Sequence, residues 1–131
     1  MRHTSVAPVV GLLVVLFAAL AGCSTLSPQQ RAASETVENA RSAYASGEYS
    51  RTIQLLSHAS EIDQASRPIQ IEAHKLMAFS YCVTNRVSAC RAEFKKILNI
   101  DPNFELSAAE RGHPIWGPAF EAARRQRGAS S

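Results

Sequence analysis

The 131-residue sequence is poor in the signals that build strands and in those that build active sites. Beyond its first two dozen residues it has no Asn-Gly or Asp-Gly pair to turn a hairpin and few alternating β-branched residues, which argues against a sheet. Gly-x-Ser-x-Gly is absent, as is a glycine-rich phosphate loop, so serine hydrolysis and nucleotide chemistry lack their scaffolds. No His-Glu-x-x-His occurs. His58 and Glu61 share a helical face without a third ligand, and Glu72 and His74, two apart, do not share one, so the histidines read as ordinary helix residues rather than metal ligands. Charge is also nearly balanced: past residue 22 there are 13 Lys and Arg against 11 Asp and Glu. A net charge of +2 points to neither nucleic acid nor a strongly anionic partner. No catalytic residue, cofactor or small-molecule substrate is expected.

The longest apolar run, Val9 to Ala21, spans thirteen residues. That is short of the roughly 18–20 a membrane helix needs, and Pro8 and Gly11 weaken it further. With Arg2 before it and small residues after it, the run has the layout of a secretory signal. Leu20-Ala21-Gly22-Cys23 resembles the lipobox, in which the cysteine thiol is acylated and the preceding peptide bond is cut. The expected organisation is a removed signal over 1–22, a lipidated tether over 23–27, a helical domain over 28–127 and a frayed tail over 128–131. Acylation of Cys23 supplies the two hydrophobic signals that stable anchoring requires. Ser24 stands where an aspartate would favour inner-membrane retention, so the outer membrane is expected, with the domain facing the periplasm.

Ala, Glu, Gln, Arg and Leu dominate the remainder, and the fold class expected is all-α. Ser27 is placed to cap a first helix, with Pro28 at its first position and Gln30 completing a capping box. That helix should run to about Ser46, ended by Gly47 in the left-handed region. A second is expected from Glu48 to Ile62 with Tyr49, Ile53, Leu56 and Ala59 on one stripe. A third starts near Pro68 and turns Ile69, Ala73, Leu76, Met77, Ser80 and Tyr81 toward its neighbours. Asn85-Arg86 breaks it, and a fourth, Val87 to Asn99, buries Cys90, Phe94, Ile97 and Leu98 before Asp101-Pro102. A fifth runs from His113-Pro114 to about Gln126 and carries Trp116 and Phe120, with His113 shaping its start. Cys82 and Cys90 are eight residues apart across the tight third turn. In an oxidising compartment such a pair reads as a disulfide, the alternative being two buried thiols.

The hairpins repeat weakly. Tyr44 to Tyr49 corresponds to Tyr81 to Val87, and Gly47 and Asn85 are 38 residues apart, four more than a 34-residue repeat. Residues 71–102 resemble one tetratricopeptide repeat: Met77-Ala78, Tyr81, Cys90, Phe94 and Pro102 stand at its small, aromatic and closing positions. The first hairpin matches through Ala40, with Thr52 and Leu56 replacing the family's residues. The resemblance implies about two helical hairpins plus a C-terminal capping helix. It also implies a concave partner groove with Ser34, Arg41 and Tyr44 from the first repeat and Glu72, Lys75, Phe79 and Cys82 from the second. The alternative is a groove too shallow to hold anything, these residues being solvated surface. Arg124-Arg125-Gln126-Arg127 reads as a solvated helix end favoured by the macrodipole, the alternative being contact with anionic lipid or cell wall. Lipobox, repeats and the ending His113-Pro-Ile-Trp-Gly-Pro-Ala-Phe120 together resemble small lipoproteins of type VI secretion systems. That resemblance implies a non-enzymatic, membrane-anchored scaffold that binds proteins of an envelope complex. The rival is an envelope-biogenesis lipoprotein, a pilotin or outer-membrane assembly factor that escorts a client.

Overall fold

The computed structural model describes residues 25–130. Cys23 and the expected signal over 1–22 lie outside the described residues. Among those residues there are seven helices and no strand: α1 (Pro28–Ala45), α2 (Tyr49–Ser57), α3 (Ser60–Asp63), α4 (Arg67–Val83), α5 (Val87–Ile100), α6 (Ala108–Arg111) and α7 (Trp116–Ala129). None is long and apolar enough to cross a membrane.

Helix α1 starts as its sequence dictates: the Ser27 hydroxyl accepts from the Gln30 amide at 3.2 Å, and Pro28 occupies a position whose amide has no use. The expected capping box is not closed, however. Gln30 instead reaches across the fold, its Oε1 accepting from the Ser66 amide at 3.1 Å and its Nε2 donating to the Gln64 carbonyl at 3.4 Å. The side chain thereby satisfies two backbone groups of the α3–α4 linker.

The turns after α1 and α4 have the same hydrogen-bond pattern. Gly47 (φ 76°) donates to Tyr44 O and Glu48 to Ala43 O; Asn85 (φ 62°) donates to Cys82 O and Arg86 to Tyr81 O. Both are Schellman closures around a left-handed residue, where glycine and asparagine are tolerated best. The backbone therefore pairs Tyr44 with Cys82 and Ala43 with Tyr81, one residue off the expected match of Tyr44 with Tyr81.

The second expected helix is broken. Helix α2 ends at Ser57, and after His58-Ala59 the one-turn α3 turns inward. Leu56 and Ile62 are both 3% exposed. Six residues apart, they could not share one stripe of an unbroken helix, and the break lets both join Ala33, Val37, Ala40, Ala73, Leu76 and Met77 in a first core.

A second core gathers Phe79, Cys82, Cys90, Phe94, Ile97, Leu98, Leu106 and Phe120. The Cys82–Cys90 disulfide, with 5.2 Å between α-carbons, ties α4 to α5 inside it. The segment 101–115 leads into the expected C-terminal cap; it holds the buried Leu106 and, beyond the one capping helix expected there, the short α6. Ser107 and Glu110 close a complete capping box at its start. Helix α7 begins at Trp116 rather than at His113-Pro114, because His113 is occupied as a turn: its Nδ1 accepts from the Ile115 amide and its carbonyl from Gly117. Pro118 costs nothing as the third residue of α7, where an amide would be unpaired anyway. The helix continues to Ala129, so the expected tail over 128–131 is helical through that residue. Phe120 meets Phe94 while Arg124 and Arg127 lie beside Leu98 and Pro102, so α7 runs in the same sense as α5. The intervening segment is what carries the chain back.

Candidate interaction surface

Helices α1, α4 and α6 contribute alternating charges to one face. Arg41 pairs with Glu38 on its own helix and with Glu72 Oε1 on α4 at 3.2 Å. Lys75 lies 3.7 Å from Glu72 Oε2 and 3.0 Å from Glu110 Oε1. The result is a line Glu38–Arg41–Glu72–Lys75–Glu110 in which each cation bridges two carboxylates. The spacing of Glu72 and Lys75 follows from one helical turn; the junctions with Arg41 and Glu110 are tertiary. Burial pushes the Glu110 carboxyl up, but hydrogen bonds from Ser107 and Lys75, with the Lys75 charge, take it below the ordinary carboxylate range. Such partly exposed pairs each add about 0–1 kcal/mol, so the line fits a recognition surface better than a stabilising one.

Beside it runs a row of rings. Tyr49 and Tyr44 are 5.4 Å apart between centroids, Tyr44 and Phe79 6.4 Å, Phe79 and Trp116 4.3 Å, and Trp116 and His113 3.3 Å. The Trp116 indole donates to the Glu110 carbonyl at 2.9 Å, and Lys75 Nζ lies 5.9 Å from the Phe79 centroid. Tyr44, Tyr49, Trp116 and His113 are half-buried. The Tyr44 hydroxyl is held above its ordinary pKa by burial first, then by Tyr49 and the Glu110 charge.

Of the seven residues expected in a groove, five reach this surface. Ser34, Arg41 and Glu72 line a cleft of about 380 Å³ with Val37, Glu38, Pro68 and Ile69. Tyr44 and Lys75 lie farther along the same face. Phe79 and Cys82 do not belong to it. Phe79 is 5% exposed beneath Tyr44 and Trp116, and Cys82 is enclosed in the disulfide. The reason is the apolar second core, which pulls that edge of α4 inward. Trp116 packs on the second core through Phe79, as expected, but is only half-buried, with His113 stacked on it, and Tyr49 extends the row.

Compared with protein-family models, curated proteins and solved structures, the chain finds no match in any of the three. What can be said of its function comes from its own residues.

The remaining polar groups are dispersed. His58 Nδ1 sits 3.1 Å from the Gln54 carbonyl while Glu61 accepts from Thr36 at 2.8 Å, so the spaced pair does not converge. Among the described residues no three His, Cys, Asp or Glu side chains gather as metal ligands would. Arg124 is held by Glu105 at 3.1 Å and Glu121 at 3.4 Å. One buried network was missed: His74 Nδ1 lies 2.7 Å from Glu93 Oε2, and Lys96 donates to Glu93 Oε1 at 2.9 Å. Burial raises the Glu93 carboxyl, and the His74 and Lys96 hydrogen bonds and charges lower it further, for a net shift downward. The signal was in the sequence: Glu93 falls on the stripe of Cys90 and Ile97, where a charged residue needs a partner.

Proposed function

We propose that this chain is a lipid-anchored, non-enzymatic scaffold that holds an envelope protein against the face formed by α1, α4 and α6. The observation that carries the reading is the row Tyr49, Tyr44, Trp116 and His113, laid over the buried Phe79, beside the line Glu38–Arg41–Glu72–Lys75–Glu110. Half-buried aromatics flanked by a partly exposed line of charge match the aromatic core and polar rim of protein-binding surfaces. The two Schellman-closed hairpins, 38 residues apart, support the tetratricopeptide-like reading, with the α7 segment closing the stack. Anchoring rests on the lipobox-like Leu20-Ala21-Gly22-Cys23, and the outer-membrane, periplasm-facing location on Ser24 after it, where an aspartate would favour the inner membrane. Membership of a type VI secretion apparatus rests on the sequence resemblance alone. A client-escorting factor would call for a deeper apolar groove than the roughly 380 Å³ cleft between α1 and α4.

The test has two arms. Cys23→Ser should abolish labelling by radioactive palmitate and leave an unprocessed precursor; labelling equal to wild type refutes the anchor. A photo-crosslinker at Tyr44 should trap a protein of the envelope apparatus in cells, and one at Gln126, exposed near the far end of α7, should not. Arg41→Ala with Lys75→Ala should weaken that capture while leaving the melting temperature nearly unchanged, as expected for solvent-facing pairs. Equal trapping from both positions refutes the surface assignment.

A further inference from the structure

A second arrangement lies on the far side of α4. His74 is two residues past Glu72, about 200° around the helix, and so faces away from the partner surface. There, where α2 stops and α3 turns inward, a cleft of about 450 Å³ opens over Leu56, Ile62 and Met77, with Asp63, Ser57 and Ser60 on its rim. His74, Glu93 and Lys96 line it as well.

The fold does not require this network. An apolar residue at position 93 would pack beside Phe94 and Ile97 without the desolvation that buried charges suffer, and such pairs seldom repay that cost. What the network does is orient His74. A carboxylate can only accept, so the 2.7 Å contact with Glu93 puts the imidazole proton on Nδ1. Nε2 of the neutral ring is then an acceptor, and it has no partner among the described residues. The Asp63 carboxylate also has no side-chain partner there, since Gln70 bonds its backbone carbonyl. With the His74 ring neutral, Asp63 and Glu93 against Lys96 leave the cleft with one negative charge in excess.

We propose that this cleft binds a primary ammonium carried on an aliphatic stem, the chemistry of a lysine side chain. The stem lies on Leu56, Ile62 and Met77, and the ammonium donates to His74 Nε2, to Asp63 and to a rim hydroxyl, Ser57 or Ser60. An ammonium has three donors and no acceptor, which matches an unpartnered imidazole nitrogen, a carboxylate and a hydroxyl. The site is separate from the partner surface, so its failure leaves the proposed function standing.

The experiment is an NMR titration of the full-length protein, purified in detergent. The probes are N-acetyl-lysine methylamide, cadaverine and N-acetyl-norleucine methylamide, which keeps the stem and lacks the charge. The lysine probe or cadaverine should give saturable shifts at Leu56, Ile62, Met77 and the His74 ring, about fivefold tighter than norleucine, the upper range of one solvent-facing ion pair. Asp63→Asn, at an exposed position that leaves the fold intact, should erase that advantage without changing norleucine binding. Binding of the lysine probe alone assigns a protein side chain; binding of cadaverine assigns a free amine. Equal affinity for norleucine, or no saturable shift with either amine, overturns the proposal.

Discussion

Replacing Gly117 by alanine puts a methyl group where the backbone of α6 already lies. A Cβ built there would sit 2.4 Å from the Arg111 carbonyl oxygen, inside the 3.0 Å that Cβ contacts respect. The obstacle is main chain, so no rotamer change can relieve it and α6 must move away from α7. That displacement stretches the Trp116 indole hydrogen bond to the Glu110 carbonyl, now 2.9 Å, and the Lys75–Glu110 pair, now 3.0 Å. Overpacking of this kind costs about 1–3 kcal/mol, and the lost hydrogen bond adds about 1 kcal/mol. Against it stands the helix preference for alanine, about 0.5–1 kcal/mol. The expected net loss is about 1–3 kcal/mol, a fall in melting temperature of about 5–20 °C for a domain of this size. Gly128 is the control, since an added Cβ there meets nothing within 4 Å. Gly128→Ala should leave the melt unchanged or raise it slightly. Thermal melts followed by helical circular dichroism compare the two. A Gly117→Ala protein that melts at or above wild type would refute the close α6–α7 contact, and with it the placement of Glu110 on the interaction surface.

Three further outcomes are expected. Reducing the Cys82–Cys90 bridge, or replacing both cysteines by alanine, should cost about 2–3 kcal/mol of unfolding free energy in a denaturant titration, the loop-closure entropy of a separation of eight residues; two free thiols in denatured protein isolated without reductant would remove the bridge. Glu93 and Glu110 have folded pKa values below the ordinary one, so their contribution is present above the unfolded pKa, about 4.3. It is lost as pH falls through the lower folded value. Denaturation midpoints against pH should therefore decline on the acid side, and Glu93→Gln should flatten that decline; an unchanged slope would count against the network. Trp116→Ala should cost about 2–3 kcal/mol, less than a fully buried tryptophan, and Trp116→Phe about 1 kcal/mol through the lost hydrogen bond. An alanine variant as stable as wild type that no longer crosslinks at Tyr44 would assign Trp116 to binding alone.

Chemistry within a few residues was legible in the chain. Ser27 and Pro28 start α1, Gly47 and Asn85 close the two hairpins, and Asp101-Pro102 ends α5, because caps and left-handed turns depend only on neighbours along the backbone. The same local reading was available and unused at Ser107-x-x-Glu110, a capping box that starts α6 ahead of the one capping helix expected there. The candidate surface was partly legible by another route: the tetratricopeptide resemblance implied Ser34, Arg41, Tyr44, Glu72 and Lys75, and the structure brings them to one face. What the tertiary structure decided is everything that depends on a partner far along the chain. Gln30 abandons its own helix for the Ser66 amide because that amide is close and unpaired. Helix α2 breaks so that Leu56 and Ile62 can enter one core. Phe79 turns inward under Trp116 rather than out to solvent, and Glu93 is buried because His74 and Lys96 come to meet it. Periodicity says which side of a helix is apolar; which partner covers that side is settled only when hairpins pack, and burial without a partner costs more than one helix can supply.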